Sequence, residues 1–184
     1  AIDPLLGPLQ DNGGFTFTHA LLPGSPAFNR GNNSLAEVPG DDGLPGTNDN
    51  NEVALTTDQR SVGFARIRFG TIDIGAFEST ILDGTAGSDA FVLTYSGTST
   101  SGSIMISVST NGGPFVSKGT FPIDIPLNIN GLGGSDSLRV VGTSGADRFT
   151  VNSNSAVALN GASLLLTSIE SRTLAGAAGG DLYR

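Results

Sequence analysis

The chain has 184 residues, 27 of them glycine, no cysteine or tryptophan, and a net charge of −8. The missing cysteine excludes disulfides, thiolate catalysis and cysteine-based zinc sites. Lys118 is the only lysine and the arginines are scattered, so no basic stripe for nucleic acid or an anionic membrane surface exists, and no apolar run approaches the about 20 residues of a membrane-spanning helix. Turn formers and β-branched residues abound while helix-forming surface residues are scarce, which points to an all-β fold.

Residues 1–80 are irregular. Pro4, Pro8, Pro23, Pro26, Pro39 and Pro45 exclude long helices and central strands. Phe15, Phe17 and the run Val62–Phe69 suggest short strands. Ile72, Ile74 and Ala76 alternate with Asp73 and Gly75, the pattern of a short strand with one buried face. Between them lies a polar stretch, Gly40-Asp41-Asp42-Gly43 through Asn48-Asp49-Asn50-Asn51-Glu52. Its oxygen-bearing side chains could wrap a hard cation, but the spacing is not that of an EF-hand, and a solvated surface insertion is the simpler reading.

Residues 81–184 hold a repeat. The pattern GxxGxDx followed by a large residue occurs at 84–92, 131–139, 142–150 and 176–184. The copies divide the region into two diverged Gly-Asp units, 84–141 and 142–184, the second truncated. Each unit opens with a strand (Phe91–Tyr95; Phe149–Asn152) and makes a hairpin at Asn-Gly (Asn111-Gly112; Asn160-Gly161), a pair suited to a type I′ turn. Each then runs through an apolar strand (Leu127–Ile129; Thr173–Ala175) into its second copy. Ile104, Ile106 and Val108 alternate with Ser103, Met105 and Ser107, and the extra length around residues 94–106 predicts a longer hairpin or an added loop.

Two resemblances follow from these residues. Leu9-Gln10-Asp11-Asn12-Gly13-Gly14 and Asp73-Ile74-Gly75-Ala76-Phe77-Glu78, in that order, make residues 1–78 similar to the closing segment of bacterial right-handed parallel β-helix surface proteins of the choice-of-anchor Q or polymorphic-outer-membrane-protein-like kind. Phe28-Asn29-Arg30 departs from that family's pattern. Residues 84–184 resemble degenerate RTX repeats, whose nonapeptide GGxGxDxUx binds calcium. The resemblance implies a large secreted or cell-surface bacterial protein and carries over no catalytic residue.

The spacing of the motifs weighs against a regular calcium roll, because their starts lie 47, 11 and 34 residues apart rather than nine. Calcium takes six to eight oxygens at about 2.3–2.6 Å, so a single aspartate is insufficient. The alternative is a folding device in which both glycines supply positive φ and each aspartate caps its own turn. Asp89, Asp136, Asp147 and Asp181 are the calcium ligands under the first reading. Asp136 and Asp147, eleven residues apart, are then the pair one rung would bring together.

Catalysis has little support. His19 stands alone and reads as a hydrogen-bonded structural histidine. Asp73 and Glu78, five apart on a strand, would face opposite sides. No nucleophile elbow or phosphate loop occurs.

The sequence therefore predicts an all-β chain: a β-helix-terminating segment (1–80) and a strand-repeat region stacked as a solenoid or sandwich (81–184). It predicts a non-catalytic, structural or adhesive piece of a longer extracellular or cell-surface protein, stabilised by calcium. Carbohydrate or other cell-surface ligands and the rest of the parent polypeptide are the expected partners. The alternative is the tail of a β-helix polysaccharide lyase or hydrolase whose catalytic groove lies outside this chain. A calcium-triggered folding module for export is a third reading.

Overall fold

The computed structural model describes all residues except 48–49, 98–101, 123–126 and 153–155. The protein is all-β with mixed sheets, and a single 3-10 turn at Asn33–Leu35 is the one helical piece among the described residues. It forms two compact units, Ala1–Ser79 and Thr80–Arg184.

Unit 1 contains two small antiparallel pairs. β1 (Leu6–Gln10) pairs with β2 (Thr18–Leu21), and β3 (Glu37–Val38) with β4 (Val53–Ala54). The rest is turns and bends, as its prolines require. The expected strands at Phe15–Phe17 and Val62–Phe69 are absent: Phe15, Phe17 and Val62 are exposed, and the Val62–Phe69 run gives only isolated bridges from Ala65 and Arg68. Residues 70–78 are not a strand either. Ile72 and Asp73 are both buried while Ile74 is exposed, because the chain turns at Gly75, whose φ is +117°. Only Leu21, Ala36, Phe69 and Ile72 are buried apolar side chains among the described residues of this unit, against five buried charged ones. Polar contacts thus carry much of its interior.

Among its described residues unit 2 has eleven strands in two sheets. The first sheet contains β6 (Asp89–Gly97), β7 (Gly102–Thr110), β8 (Val116–Pro122), β10 (Ser137–Val141) and β14 (Ser171–Ala175), in the order β14-β10-β6-β7-β8. The second contains β5 (Ile81–Asp83), β9 (Leu127–Asn130), β11 (Arg148–Val151), β12 (Ala156–Leu159), β13 (Ala162–Thr167) and β15 (Leu182–Tyr183), in the order β15-β11-β12-β13-β9-β5.

Parallel and antiparallel pairings have different sources in the sequence. Strands that flank equivalent motif copies pair in parallel: β6 with β10 and β10 with β14, β5 with β9 and β9 with β13, β11 with β15. The antiparallel hairpins arise at Asn-Gly. Asn160 and Gly161 have φ of +51° and +97° and join β12 to β13 by a two-residue turn. Asn111 and Gly112 have φ of +52° and +72° and turn the chain from β7 toward β8. Both central residues lie in the left-handed region a type I′ turn needs. Much of the extra length of the first unit lies in the long antiparallel pair β6–β7, matched from Asp89 with Thr110 to Gly97 with Gly102.

The core follows the alternation. Phe91, Leu93 and Tyr95 of β6 and Ile104, Ile106 and Val108 of β7 are buried, as are Leu138, Val140, Phe149, Val157, Leu159 and Leu164. Burying each such side chain contributes about 1.5–3 kcal/mol relative to exposure.

Candidate functional site

The four motif copies form corners where the chain passes from one sheet to the other, and they stack in two columns. The copy at 84–89 leads from β5 to β6, and the copy at 131–136 leads from β9 to β10. Ser168, Ile169 and Glu170 hold the matching place between β13 and β14. The copies at 142–147 and 176–181 form the second column, ahead of β11 and β15.

Each column is tied by carboxylates. Asp136 Oδ1 accepts the backbone N–H of Asp89 at 2.7 Å, and Glu170 Oε2 accepts that of Asp136 at 2.6 Å. In the second column Asp181 Oδ1 accepts the N–H of Asp147 at 3.0 Å. An acid thus satisfies a buried donor in the preceding coil, where an unmet backbone N–H would cost about 1–3 kcal/mol. Asp89 and Asp147 cap their own turns, as the sequence suggests, through a residue four back, while Asp136 and Asp181 cap the neighbouring coil.

The local partner is threonine. The Thr85 N–H reaches Asp89 Oδ2 at 2.5 Å, and Thr143 N–H reaches Asp147 Oδ2 at 2.8 Å. Both hydroxyls also bond the same carboxylates and accept from the second glycine's N–H. The Asn-Gly hairpin adds Asn160, whose Nδ2 donates to Asp147 Oδ1 at 2.6 Å. The second copy differs. Leu132 replaces threonine, has φ +71°, and gives its N–H to Asn130 Oδ1 instead. Asp136 Oδ2 is left buried with no hydrogen-bond partner. Burial raises the Asp136 pKa, and the neighbouring Asp89 and Glu170 charges add to the rise.

The glycines have separate roles. The first glycine of each motif lies outside the left-handed region, so positive φ is not why it is there. A Cβ on Gly84, Gly131, Gly142 or Gly176 would strike the carboxylate of the motif's own aspartate. The second glycine is left-handed only at Gly134 (φ +106°) and Gly179 (φ +114°), where a Cβ would lie 2.5–2.8 Å from the backbone of Gly87–Ser88 and 2.6–2.8 Å from that of Gly145–Ala146. These glycines let one corner press on the next.

Asp136 and Asp147 are not brought together. They stand at the two ends of β10, in different columns, because the eleven-residue step crosses a sheet whereas the 47- and 34-residue steps return to the same corner. Asp89 meets Asp136 and Asp147 meets Asp181. Among the described residues no group of three or more His, Asp or Glu side chains is placed to hold a metal ion. The carboxylate oxygens of Asp89 and Asp147 accept N–H and O–H donors, which a cation there would have to displace.

In the Gly40–Glu52 stretch, Asn48 and Asp49 lie outside the described residues. The Asn51 amide bonds Asp41 at 2.7 Å and Glu52 accepts the Thr47 N–H at 2.9 Å, on an exposed surface. His19 Nδ1 donates to the Gly7 carbonyl at 2.8 Å.

Unit 1 holds a charged cluster that sequence reading missed. Asp58 and Arg60 pair at 2.6 Å in the interior, with the guanidinium 4.0 Å from the Phe64 ring centre and 3.8 Å from that of Phe77. Arg66 pairs with Glu78 at 2.8 Å. Asp73 accepts the N–H groups of Asn29 and Ser79, both at 2.7 Å, and its own N–H donates to Glu78 Oε1 at 2.8 Å. The turn at Gly75 therefore folds Asp73 and Glu78 onto one cluster, not onto opposite faces. Burial pushes the Glu78 carboxyl up to about 8 and also raises that of Asp73. With both acids 1% exposed, the pair lies in the interior and not at a substrate surface. The spacing of Arg66 and Arg68, two residues apart beside Asp58 and Arg60, was the available signal.

No helix among the described residues is long and apolar enough to cross a membrane. No family model, curated protein or solved structure matches the chain.

Proposed function

We propose that this chain is a non-catalytic, structural or adhesive part of a larger secreted or cell-surface protein, with unit 2 acting as a solenoid-like stack. The observation that carries this reading is the stacking of motif corners through Asp136 to Asp89, Glu170 to Asp136 and Asp181 to Asp147. The repeated acids hold one coil to the next, which is the work of a scaffold whose stability comes from nearest neighbours. The resemblance of residues 1–78 to closing segments of β-helix surface proteins, and the acidic, lysine-poor composition, support a place outside the cell. In this reading the Gly-Asp pattern is a folding device that needs no calcium, and the surface ligand is carbohydrate or another cell-surface molecule.

Protease treatment of intact cells producing the parent protein tests it. Loss of an epitope within residues 80–184 before lysis is the expected result. An epitope protected until the cells are opened would sink the proposal.

A further inference from the structure

Unit 1 contains a cavity of about 360 Å³ lined by Leu55, Thr57, Asp58, Gln59, Arg66 and Ala76. Its volume is in the range of small-molecule sites, which run from about 300 to 1,000 Å³. Its polar wall is unbalanced toward donors. Asp58 is already engaged: Oδ1 accepts from the Arg60 N–H and Nε, and Oδ2 from Arg60 Nη2 and the Glu78 N–H.

Arg66 is less fully engaged. Its Nη1 donates to Glu78 Oε1 at 2.8 Å and its Nη2 to the Gly75 carbonyl at 3.0 Å. A guanidinium carries five N–H bonds, so three have no partner among the described residues. The Thr57 hydroxyl and the Gln59 side-chain amide, in the same wall, form no hydrogen bond with the described residues either. Leu55 and Ala76 supply the apolar flank.

Arg60 and Arg66 gather with Asp58, Asp73 and Glu78, so Arg66 brings a guanidinium to the cavity wall while the Asp58 oxygens are occupied.

We propose that this cavity binds a small carboxylate, held in the fork of Arg66, with Thr57 and Gln59 donating beside it and the carbon skeleton against Leu55 and Ala76. A carboxylate is planar and matches the guanidinium fork in two parallel hydrogen bonds. The same chemistry is offered by a uronic acid and by the C-terminus of a peptide. The site does not depend on the scaffold reading of unit 2, and its failure would leave that reading intact.

The test is a titration of the whole chain at pH 7 with D-glucuronate and with N-acetyl-L-alanine, followed by NMR. Glucose and N-acetyl-L-alanine amide serve as the uncharged counterparts. Saturable shifts of the Arg66 Nε–H and of the amides of residues 55–59 are expected with the carboxylates and not with the counterparts. The tighter of the two identifies the source. Arg66→Gln should weaken binding by about tenfold or more, in line with loss of a charged bidentate pair. Since that change also releases Glu78, a double variant, Thr57→Val with Gln59→Ala, keeps the Arg66–Glu78 hydrogen bond and should still weaken binding by about threefold. No saturable shift with either carboxylate, equal binding of the neutral counterparts, or undiminished binding in both variants would overturn the proposal.

Discussion

Asp136 and Asp89 are 47 residues apart in the chain, yet Asp136 Oδ1 receives the backbone N–H of Asp89 at 2.7 Å. The contact joins two corners of the repeat and sets the parallel register of β6 and β10, in which Ala90 opposes Ser137. Asp136→Ala removes the acceptor from a buried donor and should cost about 1–3 kcal/mol. Asp136→Asn keeps an acceptor oxygen and removes a charge lying between Asp89 and Glu170, so its cost should stay below about 1 kcal/mol. Urea unfolding of the two variants checks the contrast, and equal losses would show that the charge, not the acceptor, matters.

The second copy departs from the first and third. In copies one and three a threonine satisfies the aspartate's Oδ2, whereas Leu132 leaves Asp136 Oδ2 without a donor. A threonine at the φ of +71° that Leu132 adopts is strained by its branched Cβ, a cost of about 1–3 kcal/mol that one restored hydrogen bond does not exceed. Leu132→Thr should therefore destabilise the chain, whereas Leu132→Gly, which relieves the positive φ, should be tolerated. A raised thermal midpoint for Leu132→Thr would refute the view that the backbone at Leu132 keeps this corner from the geometry of its neighbours.

Two glycines of similar backbone conformation should differ in tolerance. Gly112 has φ +72° with open space around it, and alanine there should cost about 1 kcal/mol. Gly134 has φ +106° and sits against Gly87, so alanine adds a backbone collision and should cost clearly more, over about 2 kcal/mol. Comparison of denaturant midpoints decides between close corner stacking and a simple φ requirement.

Much of unit 2 could be read from the sequence, and much of unit 1 could not. The alternation of Ile104, Ile106 and Val108, the turns at Asn111 and Asn160, and the strands following Asp89 and Asp147 all depend on short-range patterning, which a sequence displays. The partnership of Asp89 with Asp136 depends on which distant corners stack. The eleven-residue spacing pointed to a different pair, but β10 runs between Asp136 and Asp147 and carries them to different columns. In residues 70–78, alternation of Ile72, Ile74 and Ala76 implied a strand, but the turn at Gly75 and the draw of Arg60 and Arg66 buried the acids and exposed Ile74.

The charged interior of unit 1 predicts a pH dependence of definite sign. The folded Glu78 carboxyl titrates at about 8, above its ordinary value of 4.5, because burial disfavours its charge, and the nearby Asp73 charge adds to this. The folded chain thus retains a proton that the unfolded chain has released. This contribution is fully present below about 4.5 and is lost as pH rises through about 8. Asp73, also raised, acts in the same direction. The groups facing Glu78 are Asp58, Asp73, Arg66 and Arg68. Thermal unfolding followed at unit 1 resonances should show a midpoint falling between pH 5 and 9, more steeply than in Glu78→Gln. An unchanged slope in the variant would place the proton elsewhere.

Amide hydrogen exchange at Asp89, Asp136 and Asp147 tests the acid-to-backbone ladder most directly, measured in excess chelator and again in excess calcium. If the carboxylates of Asp136, Glu170 and Asp181 hold these three N–H groups unaided, all three will be strongly protected to the same degree in both conditions. Amides that exchange freely in chelator and become protected only with calcium would contradict the account and restore the motif as a metal site.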